Sequence, residues 1–182
     1  MSQTMTFDFT PEQQALIAQA ATLTALPAKA LDAVIVAEER ARHESATEVP
    51  FGFENESNPI RARLIAAAAA LGIGRAAVAH ALAFMKANNV KAGPDTTVPH
   101  WAFADGATEV EAARLLTYSA AQAVDRGEPS ETLVNRVLDF AARAAQQAVD
   151  AAIRVEGSAG YKKGGLLDRL SRDARTLQVA FR

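Results

Sequence analysis

Apolar residues recur at helical spacing along most of the chain, in blocks divided by proline and glycine. Thr10-Pro11-Glu12-Gln13 offers an N-cap threonine, a proline at the first helical position and a glutamine placed to complete a capping box. Leu16, Ile17, Ala20 and Leu23 follow on one stripe, which predicts a first helix that continues until Pro27. A second helix is predicted from Ala28 to Ser45, with Leu31, Val34 and Ile35 inward and the charged run Glu38 to Glu44 near its end. Ala46 to Pro59 carries Pro50, Gly52, Asn55 and Asn58 and reads as a long connection.

Ile60 to Asn88 contains no proline and is apolar on most faces, which predicts a long helix buried on several sides. Gly72 and Gly74 inside it each cost about 1 kcal/mol against alanine, so their presence points to close helix approach. After a loop punctuated by Gly93-Pro94-Asp95, a stripe of Phe103, Ala107, Val110, Arg114, Thr117, Ala121 and Val124 predicts a helix ending at Gly127. Ser130 caps the next, whose stripe from Val134 to Val155 reaches Gly157. Gly164-Gly165 precedes a last helix through Leu167, Leu170 and Leu177. Rods of about 35 to 45 Å joined by short loops make an all-α, up-and-down helical bundle.

Composition sharpens this picture. Of 182 residues, 49% are hydrophobic and only 6% aromatic, so the core is built from small aliphatic side chains that let helices approach closely. Nineteen basic residues against 21 acidic ones are scattered, which argues against nucleic acid or an anionic membrane as partner. Cysteine is absent, excluding disulfide and thiol chemistry. Met1 to Thr10 lacks the pattern of a signal peptide, and the Ala66 to Ala70 run, bounded by Arg61, Arg63 and Arg75, falls short of a membrane span. The expectation is a cytoplasmic protein.

Chemistry-bearing patterns are few. His43, His80 and His100 have no glutamate three residues before them, and Glu39 with His43 reads as a solvated surface pair, so no metal site is expected. Glu156-Gly157-Ser158-Ala159-Gly160 fails as a nucleophile elbow because a helix precedes it and Glu156 stands where glycine is needed. The Gly157 to Gly165 loop is rich in backbone donors and reads either as a helix cap and turn or as a cradle for phosphate. Trp101 and Phe103 read as core or interface anchors, Tyr118 as a packed residue with a hydrogen-bonded end, and Arg172 and Asp173 as structural ion-pair members.

Residues Ala107 to Tyr118, Ala120, Ala121, Asp125, Gly127 and Pro129, then Ala148 to Tyr161, resemble the penultimate helices of acyl-CoA dehydrogenases. Arg172-Asp173-Ala174-Arg175 resembles that family's RDA(R/K) signature, and Ala70-Leu71-Gly72-Ile73 the helix that opens its C-terminal domain. Phe7 to Gln13 is similar to the family's N-terminal opening. The resemblance divides the chain into a stub with connecting loop, residues 1–58, and a C-terminal four-helix bundle, residues 59–182. The residues between are too few for the family's middle β-domain, which implies an internally shortened relative.

The resemblance also implies a chemistry, in which a glutamate removes the substrate α-proton while FAD accepts the β-hydride. The family's two positions for that glutamate align with Ala62 and Phe181, neither of which accepts a proton. Glu54 or Glu56 is the nearest substitute. An FAD-gripping arginine aligns with Asn89 in Asn89-Val90-Lys91-Ala92-Gly93, while the turn that approaches a neighbouring subunit's FAD is retained in part as Gly157, Ser158 and Gly160. The implied role is a non-catalytic or helper subunit forming homo-oligomers, or hetero-oligomers with a full-length acyl-CoA dehydrogenase whose flavin site it completes. The alternatives are an oxidoreductase of altered chemistry that binds flavin or an acyl thioester through Tyr161, Glu156 or His100, and a cofactor-free structural bundle.

Overall fold

The structure, a computed structural model, describes residues 8–20, 23, 26–43, 56–90 and 100–180. Among these residues six α-helices lie in chain order: α1 Pro11–Gln19, α2 Ala30–His43, α3 Pro59–Ala87, α4 His100–Asp125, α5 Glu131–Glu156 and α6 Leu166–Ala180, with a 3₁₀ turn at Gly157–Tyr161 between the last two. Among the described residues there is no strand. The all-α bundle expected from the pattern is what forms.

The helix starts follow from local chemistry. Thr10 Oγ1 accepts from Gln13 N at 3.3 Å while Gln13 Oε1 accepts from Thr10 N at 3.1 Å, the reciprocal capping box. Asn58 Oδ1 accepts from Ile60 N and Arg61 N to open α3, and Ser130 Oγ accepts from Leu133 N to open α5. The start of α2 is capped from a distance, since the Asp125 carboxylate at the end of α4 accepts from Ala30 N at 2.7 Å and Leu31 N at 3.0 Å.

Helix α1 ends at Gln19, well before Pro27. The Arg40 guanidinium of α2 donates to the carbonyls of Ala20 and Leu23, giving that backbone an acceptor role outside a helix. Tertiary bonding thus outweighs the apolar pattern that favoured continuation.

Helix α3 is the central element and packs against α2, α4, α5 and α6. Every residue from Leu64 to Gly74 is buried. At 29 residues with an 18-residue stretch of mean hydropathy 1.6, it is long and apolar enough to cross a membrane, unlike the short Ala66–Ala70 run alone. Yet 78% of that stretch is buried against other helices of the protein, as in the core helix of a bundle.

Small residues set the spacing. A Cβ on Gly72 would lie 2.2 Å from the Glu38 carbonyl oxygen, and one on Gly74 would lie 2.8 Å from Val110 Cγ2. Both glycines therefore mark close approach, of α2 and α4 respectively. Arg63 on the first turn of α3 reaches Glu131 on the first turn of α5 at 3.1 Å, and His80 later on α3 reaches Glu156 at the end of α5 at 2.6 Å, so α3 and α5 run parallel.

Candidate functional site

Three places bear on function, and the turn after α5 is the first. Gly157 caps the helix with φ of 64°, a conformation that favours glycine, and its N–H donates to Ile153 O. Gly160 is buried, and a Cβ there would meet Ile153 O at 3.0 Å and Ile153 Cα at 3.1 Å. The turn folds back on the helix only because position 160 is glycine. Gly157 and Ser158 face solvent.

Several donors of this loop are already used inside the chain: Lys162 N donates to Ala159 O, Gly165 N to Lys162 O, and Gly164 N to Asp168 Oδ2 at 2.8 Å. The loop has fewer amides to offer a phosphate than its residue count suggests. Glu156, at the root of the turn, is held by His80 Nε2 at 2.6 Å.

The second place is the first turn of α3. Ala62 is half-buried there, its N–H donating to Asn58 O at 2.9 Å. Glu56 lies just before the helix, where its carboxylate accepts from Arg61 Nε at 2.9 Å and Asn58 N at 3.1 Å. Burial pulls the Glu56 pKa upward, but the Asn58 amide and the Arg61 guanidinium overcome this and hold it below the ordinary carboxylate range. Glu56 is thus a helix-start carboxylate held by its neighbours and poorly suited to taking a proton. Glu54 and Phe181 lie outside the described residues.

The third place was not expected. Glu38 of α2 is fully buried, and its carboxylate accepts from Tyr118 Oη at 2.5 Å and from Arg75 Nη1, with Arg114 Nε 2.8 Å away. Arg75 Nη1 also donates to Glu39 Oε1 at 2.9 Å. The Arg114 guanidinium lies over the Tyr118 ring at 5.1 Å and the Phe9 ring at 5.7 Å.

Burial, with the Glu38 charge, raises the Tyr118 pKa well above the ordinary phenol range, so the phenol stays a donor. For Arg114 and Arg75 burial lowers the pKa, but the Glu38 charge prevails and the net shift is upward, fixing both as cations. Four side chains from three helices meet at a carboxylate that solvent does not reach, with Arg114 Nε contributing charge at 2.8 Å without a hydrogen bond. The arrangement is a structural clasp between α2, α3 and α4.

Other side chains correct or bear out the expectations. Glu39 is buried, anchored by Arg75 and by Arg42 at 3.3 Å, so only the His43 end of the Glu39–His43 pair, 3.6 Å apart, is solvated. Trp101 is 81% exposed and so is no core anchor of this chain, whereas Phe103 packs against the core. Arg172 pairs with Asp168 at 3.1 Å, and Asp173 is buried. Of His100, only its place at the start of α4 falls within the described structure. Among the described residues no cluster of three or more His, Asp or Glu could hold a metal ion.

Residues 60–181 match the family model for the acyl-CoA dehydrogenase C-terminal domain. The chain belongs to the acyl-CoA dehydrogenase family. It is 35% identical over 119 residues to the 3-(aryl)acrylate reductase of Clostridium sporogenes, covering 64% of this chain and 32% of that protein. An acyl-CoA dehydrogenase of Bacillus subtilis is 37% identical over 119 residues, covering 64% and 31% respectively. Among solved structures, an acyl-CoA dehydrogenase from Slackia heliotrinireducens aligns with a TM-score of 0.62 and 25% identity over 68% of this chain and 33% of its own. The chain thus spans about a third of the length of the curated relatives it matches.

Asn89 ends α3 for a local reason. It has φ of 50°, and Asn89 N donates to Lys86 O while Val90 N donates to Met85 O. These are the paired bonds of a Schellman end, and asparagine tolerates the left-handed backbone they require. At Asn89, where the resemblance led to the expectation of a replaced flavin-gripping arginine, the structure shows a helix terminator. Lys91, Ala92 and Gly93 lie outside the described residues.

Proposed function

We propose that this chain is a non-catalytic helper subunit of the acyl-CoA dehydrogenase type, one that oligomerises through its bundle and completes a flavin site of a partner. On this reading residues 1–58 form a stub that braces the bundle, residues 59–182 supply the association surfaces, and the protein works in the cytoplasm. What supports the reading is Ala62, a methyl group on the first turn of α3 where the resemblance implies the family's proton-abstracting glutamate. Glu56, close by in sequence, is committed to Arg61 and Asn58. Acyl-CoA oxidation requires a base at the α-carbon, and this place holds none.

Trp101, Tyr161 and Val179 are exposed large apolar side chains that an association surface would cover. For the partner's FAD, Gly157 and Ser158 are exposed, Gly160 keeps the turn tight, and Lys162 and Lys163 beside them supply positive charge toward a diphosphate. A bound flavin would supply the hydride-accepting chemistry; the residues of this chain would bind and orient it. The amides already committed within the turn favour, as the second reading, a cofactor-free structural bundle, in homo-oligomers or joined to a full-length dehydrogenase.

Purified chain supplied with FAD, an artificial electron acceptor and acyl-CoA substrates of several chain lengths is expected to show no α,β-desaturation above background. FAD-dependent turnover by the chain alone would overturn the helper reading.

A further inference from the structure

At the end of α2 a trough between α3 and α4 is lined by Arg42, Arg75, Val78, Leu82, Val110 and Glu111, with a volume of about 210 Å³. One end is cationic and the walls are aliphatic. Each guanidinium uses one terminal nitrogen on the buried acids: Arg42 Nη1 on Glu39, Arg75 Nη1 on Glu38 and Glu39. Their other N–H groups have no acceptor among the described residues. The Arg42 and Arg75 side chains are 35% and 20% exposed, enough for a ligand to reach them.

The unused guanidinium N–H groups favour an acceptor-rich head group. Three guanidiniums, of Arg42, Arg75 and Arg114, face the buried carboxylates of Glu38 and Glu39, and Arg114 also pairs with Glu111 at 3.5 Å. The cations are thus matched in number, and the preference rests on the donors of Arg42 and Arg75 that the acids leave unused. Glu111 stands at the rim, 58% exposed, where water screens it. Planar guanidinium donors match a carboxylate better than a spherical anion, and the clasp holds Arg75 in place before any ligand arrives. The volume lies below the 300 to 1,000 Å³ typical of drug-sized ligands, so the occupant is small.

We propose that this trough binds a small amphipathic monocarboxylate, its carboxylate on Arg42 and Arg75 and its aliphatic tail along Val78, Leu82 and Val110. The ligand is the free acid anion; a neutral ester or thioester lacks the charge that the arginines recognise.

Calorimetric titration of the full chain with hexanoate tests this, with hexan-1-ol, a neutral hexanoyl thioester and inorganic phosphate run in parallel. Hexanoate is expected to bind saturably at one site, and the other three at least roughly tenfold more weakly, because one lacks the tail and two lack the charge. Arg42→Gln removes part of the head site and Leu82→Trp fills the trough; each is expected to weaken hexanoate binding roughly tenfold or more. Leu82 is 40% exposed, so Leu82→Trp is expected to leave the melting temperature unchanged, whereas Arg42 also anchors the buried Glu39 and its replacement lowers the melting temperature. Absence of saturable hexanoate binding, equal binding of hexanol or thioester, equal binding of phosphate, or full affinity in both variants would each overturn the proposal.

Discussion

Glu38→Ala is expected to destabilise the protein by about 3 to 5 kcal/mol, the cost of breaking a buried charge cluster by removing one partner. Arg75 and Arg114, each with a largely buried side chain, lose the buried carboxylate they share and keep only Glu39 and the exposed Glu111 respectively, and Tyr118 Oη loses its acceptor. For a chain of this size each kcal/mol shifts the melting temperature by roughly 2 to 4 °C, so a drop of roughly 6 to 20 °C should appear in a thermal melt. Glu38→Gln keeps the shape and one acceptor, and belongs between wild type and alanine. Replacing all four members by apolar residues of similar volume is expected to restore much of the loss, because a buried ion cluster gives specificity more than net stability. A Glu38→Ala protein that melts within a degree of wild type would refute the clasp.

Gly72→Ala is expected to be nearly as damaging for a different reason. Its new Cβ would lie 2.2 Å from the Glu38 carbonyl oxygen and 2.8 Å from both Ala41 Cβ and Arg42 N, and two of those three atoms are backbone. No rotamer change relieves such a contact, so α2 must move off α3, carrying Glu38 away from Arg75. The overpacking cost of roughly 1 to 3 kcal/mol then adds to partial loss of the clasp. Gly74→Ala serves as the comparison, because its nearest neighbour, at 2.8 Å, is the movable Val110 Cγ2. Amide exchange should show α2 losing protection in Gly72→Ala while α5 stays protected. A melting temperature for Gly72→Ala at or above that of Gly74→Ala would count against the close approach of α2.

Where the chain punctuates itself chemically, the fold was legible. Thr10 with Gln13, Ser130 and Gly157 fix helix boundaries through bonds within four residues, and all were readable as caps. The end of α1 was not, because it depends on Arg40 reaching back to two carbonyls from another helix. The clasp was illegible for the same reason, since Glu38, Arg75, Arg114 and Tyr118 meet only after three helices pack. One signal pointed to it: Arg114 falls on the inward stripe of α4, and Glu38 follows Val34 by four residues on the apolar face of α2. A charge on a buried stripe asks for an opposite charge on a neighbouring helix. For the turn, Gly157 and Gly160 were legible as residues needed at a tight reversal, whereas the commitment of its amides to Ala159, Lys162 and Asp168 was not.

The helper role is tested most directly by co-expressing the chain with a full-length acyl-CoA dehydrogenase, then measuring mass by light scattering and flavin by absorbance on the purified species. The account predicts that the chain alone is colourless and that a mixed oligomer carries flavin in proportion to the full-length subunit. A chain that purifies alone with one flavin per subunit, or that never enters a mixed oligomer, would contradict it.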